Sequence, residues 1–236
     1  STHTNDANIV KLALDMLGQL SYTESDITKV GSDSGLEVLS SVMRSQVSKA
    51  DTCQSCLHLL LQFTTDSPTN RSLLKSTQLF QSLADVSNTH LDNPLIMTSV
   101  LNLVNVMCVD SSENQSLLGS SGVSSQIIKY MSNQLSNEDM VLLCVKTVIS
   151  LCSNNHEANR SLLATRDALD LYLKAIIQNP SKPKVCKRIC LIFVDLCGKG
   201  AGFVGEELNQ SGLARELCNM LGAGNPYNLN PDVLQA

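Results

Sequence analysis

Read for hydrophobic and polar positions, the chain alternates apolar stretches with polar breaks, and the stretches carry a three-and-four spacing. In IMTSVLNLVNVMC (96–108) the apolar residues Met97, Val100, Leu101, Val104 and Met107 fall on one helical face. Asn93 followed by Pro94 supplies a capping side chain and a first-turn residue, so a helix is predicted to begin there. Equivalent helices are predicted in CQSCLHLLLQF, VLLCVKTVISLC and CKRICLIFVDLC, and in part in IVKLALDMLGQL. A polar loop follows each, then a short phrase, then a shorter apolar stretch such as VSSQIIKYM.

That short phrase recurs as TNRSLL (69–74), ENQSLL (113–118) and ANRSLL (158–163). Asn70 and Asn114 are 44 residues apart, and Asn114 and Asn159 are 45 apart. A second series, Leu36, Leu79, Val123, Ala168 and Leu213, steps by 43, 44, 45 and 45. Gly122 and Gly212 lie 90 apart in LLGSSGV and ELNQSGL, and Pro94 and Pro183 lie 89 apart. A period of this size belongs to helical arrays in which each unit buries its apolar face on its neighbours. The phrase is therefore expected to be a bend between helices: its polar residues face solvent, and both leucines, Leu117 and Leu118, bury. On that reading Leu117→Ala or Leu118→Ala costs about 2–4 kcal/mol, and Asn114→Ala about 1 kcal/mol or less.

In this order of elements, with SSGVSSQIIKYM leading into NEDMVLLCVKTVISLCSNNHEANRSLL, the chain resembles the armadillo-repeat family. The resemblance implies an all-α, right-handed solenoid of about five armadillo-type (or HEAT-like) repeats of 43–45 residues in a single domain. The repeats would be 8–49, 50–92, 93–136, 137–181 and 182–222, with a polar tail at 223–236. It also implies a non-enzymatic scaffold or adaptor that binds another protein along a concave groove of long helices. Within the family, the chain is similar in size and layout to the armadillo repeats-only proteins. Those are acylated adaptors on the rhoptry surface of apicomplexan parasites, and the likeness implies a peripheral role positioning an organelle. Membrane association would then depend on a lipidated N-terminus outside this chain.

The nuclear-import branch of the family grips peptides with a ladder of Trp and Asn. The matching positions are His58 and Gln62, Asn102 and Val106, Thr147 and Leu151, and Ile192 and Leu196. Shifted by one residue they become Leu61, Asn105, Ser150 and Asp195. With no Trp and at most one Asn, the ladder is broken. The same faces are expected to lack the dense basic stripe that an acidic partner would want. Residues proposed to contact a partner are His58, Gln62, Asn102, Asn105, Lys146 and Arg188, which interrupt the apolar faces with polar groups.

Composition narrows this picture. The formal charge of -5 and pI near 5.3 argue against a nucleic-acid binder. No apolar run reaches the roughly 18 residues of a membrane helix. Nine cysteines, mostly inside apolar runs, point to buried, reduced and metal-free thiols in an intracellular, cytosolic chain or at the cytosolic face of an organelle. On that basis the three N-x-S sequons are expected to carry no glycan. Cys53/Cys56 (CxxC) and Cys186/Cys190 are read as core positions, Cys56 and Cys190 sharing a column with Val100 and Val145. GAGFVG (200–205) has the GxGxxG form of a dinucleotide loop, but it follows a repeat helix with no βαβ alternation. A nucleotide- or dinucleotide-dependent enzyme using that loop is the alternative function; the favoured reading has no cofactor. His3, His58, His90 and His156 show no spacing to Ser, Asp or Cys that suggests a catalytic triad.

Overall fold

A computed structural model describes residues 6–20, 33–65, 67–73, 77–153 and 157–196. All regular structure among them is helical. The chain divides into two compact units, Ser1–Gln126 and Ile127–Ala236. The second repeat-marker Gly, the GAGFVG loop, His3, His156 and the final predicted repeat beyond residue 196 lie outside the described residues.

The first unit contains α1 (Ala7–Leu20), α2 (Asp33–Ser45), α3 (Ala50–Thr65), α4 (Pro68–Leu73), α5 (Thr77–Thr89), α6 (Pro94–Met107) and α7 (Ser112–Ser120). Helix α8 (Val123–Asn133) runs through the division, and the second unit continues with α9 (Glu138–Cys152), α10 (Glu157–Leu163), α11 (Arg166–Gln178) and α12 (Pro183–Leu196). Each long helix predicted from the apolar spacing is present. Pro94 and Pro183 both occupy the first position of one, where a missing N–H costs nothing. Asn93 caps α6 as predicted, its Oδ1 accepting from the backbone N–H of Leu95 at 3.1 Å and Ile96 at 3.3 Å. Asn137 and Thr165 cap α9 and α11 through Met140 and Ala168 in the same manner.

In the first unit, α3 packs between α1 and α6, and α2 packs on α5. In the second, α9 packs on α12. The cores follow directly. Leu57, Leu60 and Phe63 of α3 and Met97, Val100, Leu101 and Val104 of α6 are buried, as are Val141, Val145 and Val148 of α9 and Ile189 and Ile192 of α12. Leu79, Val123 and Ala168 of the second periodic series are buried too, near the starts of α5, α8 and α11. Gly122 stands just before α8 with φ +90°, a left-handed conformation that favours glycine over residues with a Cβ.

Side-chain hydrogen bonds join positions about one sequence period apart. Gln62 Nε2 donates to Gly18 O (44 residues away) and Gln54 Nε2 to Ser99 Oγ (45 away). The His90 ring donates from Nε2 to Val47 O (43 away). In the second unit, Asn179 Nδ2 donates to Leu135 O at 2.9 Å, and Lys182 forms an ion pair with Glu138, each across 44 residues. The last two bonds set the N-terminal ends of α9 and α12 side by side.

Candidate functional site

The recurring phrase is not an exposed bend. It forms short helices of its own (α4, α7 and α10), and its asparagines are enclosed in them. Asn70, Asn114 and Asn159 are 1%, 0% and 1% exposed. Each turns its amide back to the C-terminal end of the preceding long helix, where the last carbonyls lack intrahelical partners. Asn70 Nδ2 donates to Phe63 O at 2.8 Å, Asn114 Nδ2 to Met107 O at 3.1 Å, and Asn159 Nδ2 to Leu151 O at 2.8 Å. The reach is seven, seven and eight residues. The extra residue in the third copy matches its spacing of 45 rather than 44.

The next position repeats the device. Arg71 Nη1 donates to Thr64 O at 2.9 Å and Thr65 O at 3.0 Å, and Gln115 Nε2 reaches Cys108 O at 3.5 Å. Asn114 Nδ2 also donates to Arg71 O at 3.2 Å, tying one copy of the phrase to the previous one. The expectation that the polar residues face solvent therefore fails for Asn70, Asn114, Gln115, Asn159 and Arg160, while Thr69, Ser72, Glu113, Ser116 and Ser161 are exposed as expected. A carboxamide is a better partner for stranded helix carbonyls than water that cannot reach them. The leucines are corrected as well. Leu118 is fully buried, but Leu117 is only half-buried, and in the third copy Leu163 is buried whereas Leu162 is 50% exposed. Adjacent residues on a helix point about 100° apart, so one leucine of the pair can turn inward while the other lies toward the edge of the buried face.

The six residues proposed for partner contact fall in different settings. In the first unit His58 is exposed, with its ring Nε2 2.7 Å from Gln54 Nε2. Gln62 is exposed but holds Gly18 O, and Asn102 is half-buried. Asn105 is buried and donates its amide to Leu101 O at 2.9 Å, so it belongs to the interior of α6.

Lys146 and Arg188 are brought together in the second unit. They line a groove of about 620 Å³ between α9 and α12, together with Leu142, Leu143, Lys184, Lys187 and Leu191. Lys184, Lys187, Arg188 and Leu191 keep helical spacing on α12, as do Leu142, Leu143 and Lys146 on α9. With the two N-termini adjacent, Leu142 and Leu143 lie level with Lys187 and Arg188, and Lys146 lies level with Leu191. The expectation that the long-helix faces lack a dense basic stripe fails here, since four cations surround three leucines. Lys184 and Lys187 were missed because each helix was read alone. The signal was present in KPKVCKRIC as cations one turn apart.

Among the described residues none of these four cations is paired with a carboxylate. Burial raises the pKa of Asp195, the one acidic residue of α12, and the buried Arg160 offsets part of that effect. Glu138 of α9 is taken up by Lys182.

The described cysteines are all free thiols; Cys53, Cys56, Cys108, Cys144, Cys152 and Cys186 are buried, and Cys190 is half-buried, short of the enclosure expected for its column. Burial pushes Cys53 up to about 11 and Cys56, Cys144 and Cys152 up to about 12. Such thiols carry almost no thiolate at neutral pH, and thiolate is the reactive and metal-binding form. No helix among the described residues is long and apolar enough to cross a membrane. No known protein family, curated protein or solved structure matches the chain.

Proposed function

We propose that the chain is a non-enzymatic, helical-repeat scaffold, a right-handed solenoid of armadillo type, whose second unit docks a segment of another protein between α9 and α12. The groove carries this reading. Three half-buried leucines lie among four cations, three of them exposed and Lys187 half-buried, the mixture of an apolar anchor site and a polar rim from which protein docking sites are built. Several observations support the repeat half of the proposal. The sequence markers keep one period, and side chains bond across that period within each unit. The recurring asparagine closes α3, α6 and α9 against the phrase that follows each.

A selection of random 16-residue peptides displayed against the full chain tests the docking site. Enriched peptides are expected to bind the natural chain and to lose at least tenfold in affinity for the Leu191→Arg chain, in which a bulky cation fills the groove. An enrichment whose binding is indifferent to Leu191→Arg, with the variant folded by circular dichroism, contradicts the proposal.

A further inference from the structure

The geometry points to a partner segment of defined chemistry: acidic side chains flanking one or two bulky apolar residues. This inference rests on the docking groove just proposed and adds what the groove reads. The lining extends from Lys184 to Leu191 on α12 and from Leu142 to Lys146 on α9. At about 1.5 Å per residue that is a length of roughly 10 Å, enough for three extended residues or two turns of helix.

Two features of the lining select the occupant. Leu142, Leu143 and Leu191 are half-buried, which leaves apolar surface open to a side chain entering from outside. Lys146, Lys184 and Arg188 are exposed and Lys187 half-buried, so the cations form the rim and the leucines the floor. A segment that fills the floor must pass between like charges, and it is favoured when its flanking residues are Asp or Glu. Charge complementarity of this kind raises the association rate and rejects basic segments. Arg188 can take a carboxylate through two parallel N–H donors, whereas the lysines act as point charges.

The same cations could attract two other anionic surfaces, and the lining disfavours both. A bilayer meets a protein on a broad face and cannot reach leucines recessed between two helices, whereas a side chain can. A nucleic-acid strand wants aromatic platforms for its bases, and the lining holds none. The chain as a whole carries a net -5, so the cationic groove is a local exception rather than part of a general basic character.

The test uses the full chain and peptides recovered from the random display library. The best binder is synthesised in three forms: as selected, with every Asp and Glu changed to Asn and Gln, and with its bulky apolar residues changed to Ala. Affinities are read by fluorescence anisotropy against the natural chain, the Lys146→Glu/Arg188→Glu chain, a Lys184→Glu/Lys187→Glu chain and a conservative Lys146→Arg/Arg188→Lys chain. Melting of each variant is followed in parallel. The expected result is that the selected peptide is acidic and apolar. Both peptide changes and both charge reversals each weaken it at least tenfold, while the conservative chain stays within about threefold. Raising the salt from 0.05 to 0.5 M weakens it further, because the rim charges are screened.

Groove-dependent peptides that are neutral or basic would overturn the partner class and leave the docking groove standing. Peptides that ignore both charge reversals and Leu191→Arg would overturn both. A third arm sediments the chain with vesicles of phosphatidylserine and phosphatidylcholine. Vesicle binding that the charge reversals abolish, with no groove-dependent peptide recovered, would assign the cations to a lipid surface and overturn the inference.

Discussion

Asn114→Ala is expected to destabilise the chain by about 2–4 kcal/mol, several times what its polar, surface-like setting in the sequence suggests. The side chain is completely enclosed and satisfies two carbonyls, Met107 O and Arg71 O. Removing it leaves both acceptors away from water, and an unsatisfied buried acceptor costs about 1–3 kcal/mol. Asn114→Asp should be worse at pH 7, since it presents a buried carboxylate to the same two oxygens. Its folded pKa would lie above the unfolded value near 3.9. Its deficit should therefore shrink as pH falls from 7 toward 4, whereas that of Asn114→Ala stays level. Leu118→Ala, which empties a packed site, belongs in the same range of about 2–4 kcal/mol. Leu117→Ala removes a half-buried side chain and should cost about 1 kcal/mol or less. Urea midpoints of the four variants decide the order. An Asn114→Ala chain as stable as the natural one would remove the capping role.

Raising the pH from 8 to 11 is expected to unfold the protein, because its buried thiols ionise more readily in the unfolded chain. Cys53 is held up to about 11 and Cys56, Cys144 and Cys152 up to about 12, against an ordinary value of 9.0. Cys53 further donates its S–H toward Gln46 O and Val47 O, which favours the protonated form. Below pH 9 both folded and unfolded chains keep these protons, and the stability is intact. Above 9 the unfolded chain gives them up while the folded chain retains them. Each thiol then removes up to about 1.4 kcal/mol per pH unit until its own folded value is reached. Four thiols together approach about 5 kcal/mol per unit, against a total stability of about 5–15 kcal/mol for a typical domain. The raised phenols of Tyr130 and Tyr172 act in the same direction. Denaturant midpoints at pH 8, 9 and 10 should fall steeply after 9. Cys144→Val should flatten the slope by about 1.4 kcal/mol per unit. Midpoints that stay level across that range would show the thiols to be less enclosed than the structure has them.

The long helices were legible because burial on one face imposes a three-and-four spacing and because Asn93-Pro94 is a start signal with its own mechanism. The joint was legible as a repeat but not as a contact. Asn, Arg and Gln read as solvated types, and only the folded chain shows that they stand opposite stranded helix carbonyls. Their constant distance of seven or eight residues from the last apolar turn of the long helix was the available clue. The leucine pair was overread, since a doubled apolar letter says nothing about which of two adjacent helical positions faces inward. Lys146 and Arg188 were found by the polar interruption they make in an apolar face. Lys184 and Lys187 were not: α12 alone carries three of the four cations, one turn apart in KPKVCKRIC, but only its packing on α9, about 45 residues earlier in sequence, places them around the leucines.

Backbone hydrogen exchange of the full chain, with and without the best peptide from the random library, asks most directly whether the groove is the docking surface and the repeated phrase its architecture. The expected result is added protection in 138–152 and 183–196, with exchange in 69–74, 113–118 and 158–163 unchanged. Protection gained in those three copies of the phrase, with none in the two long helices of the groove, would make the phrase the recognition element and contradict the account.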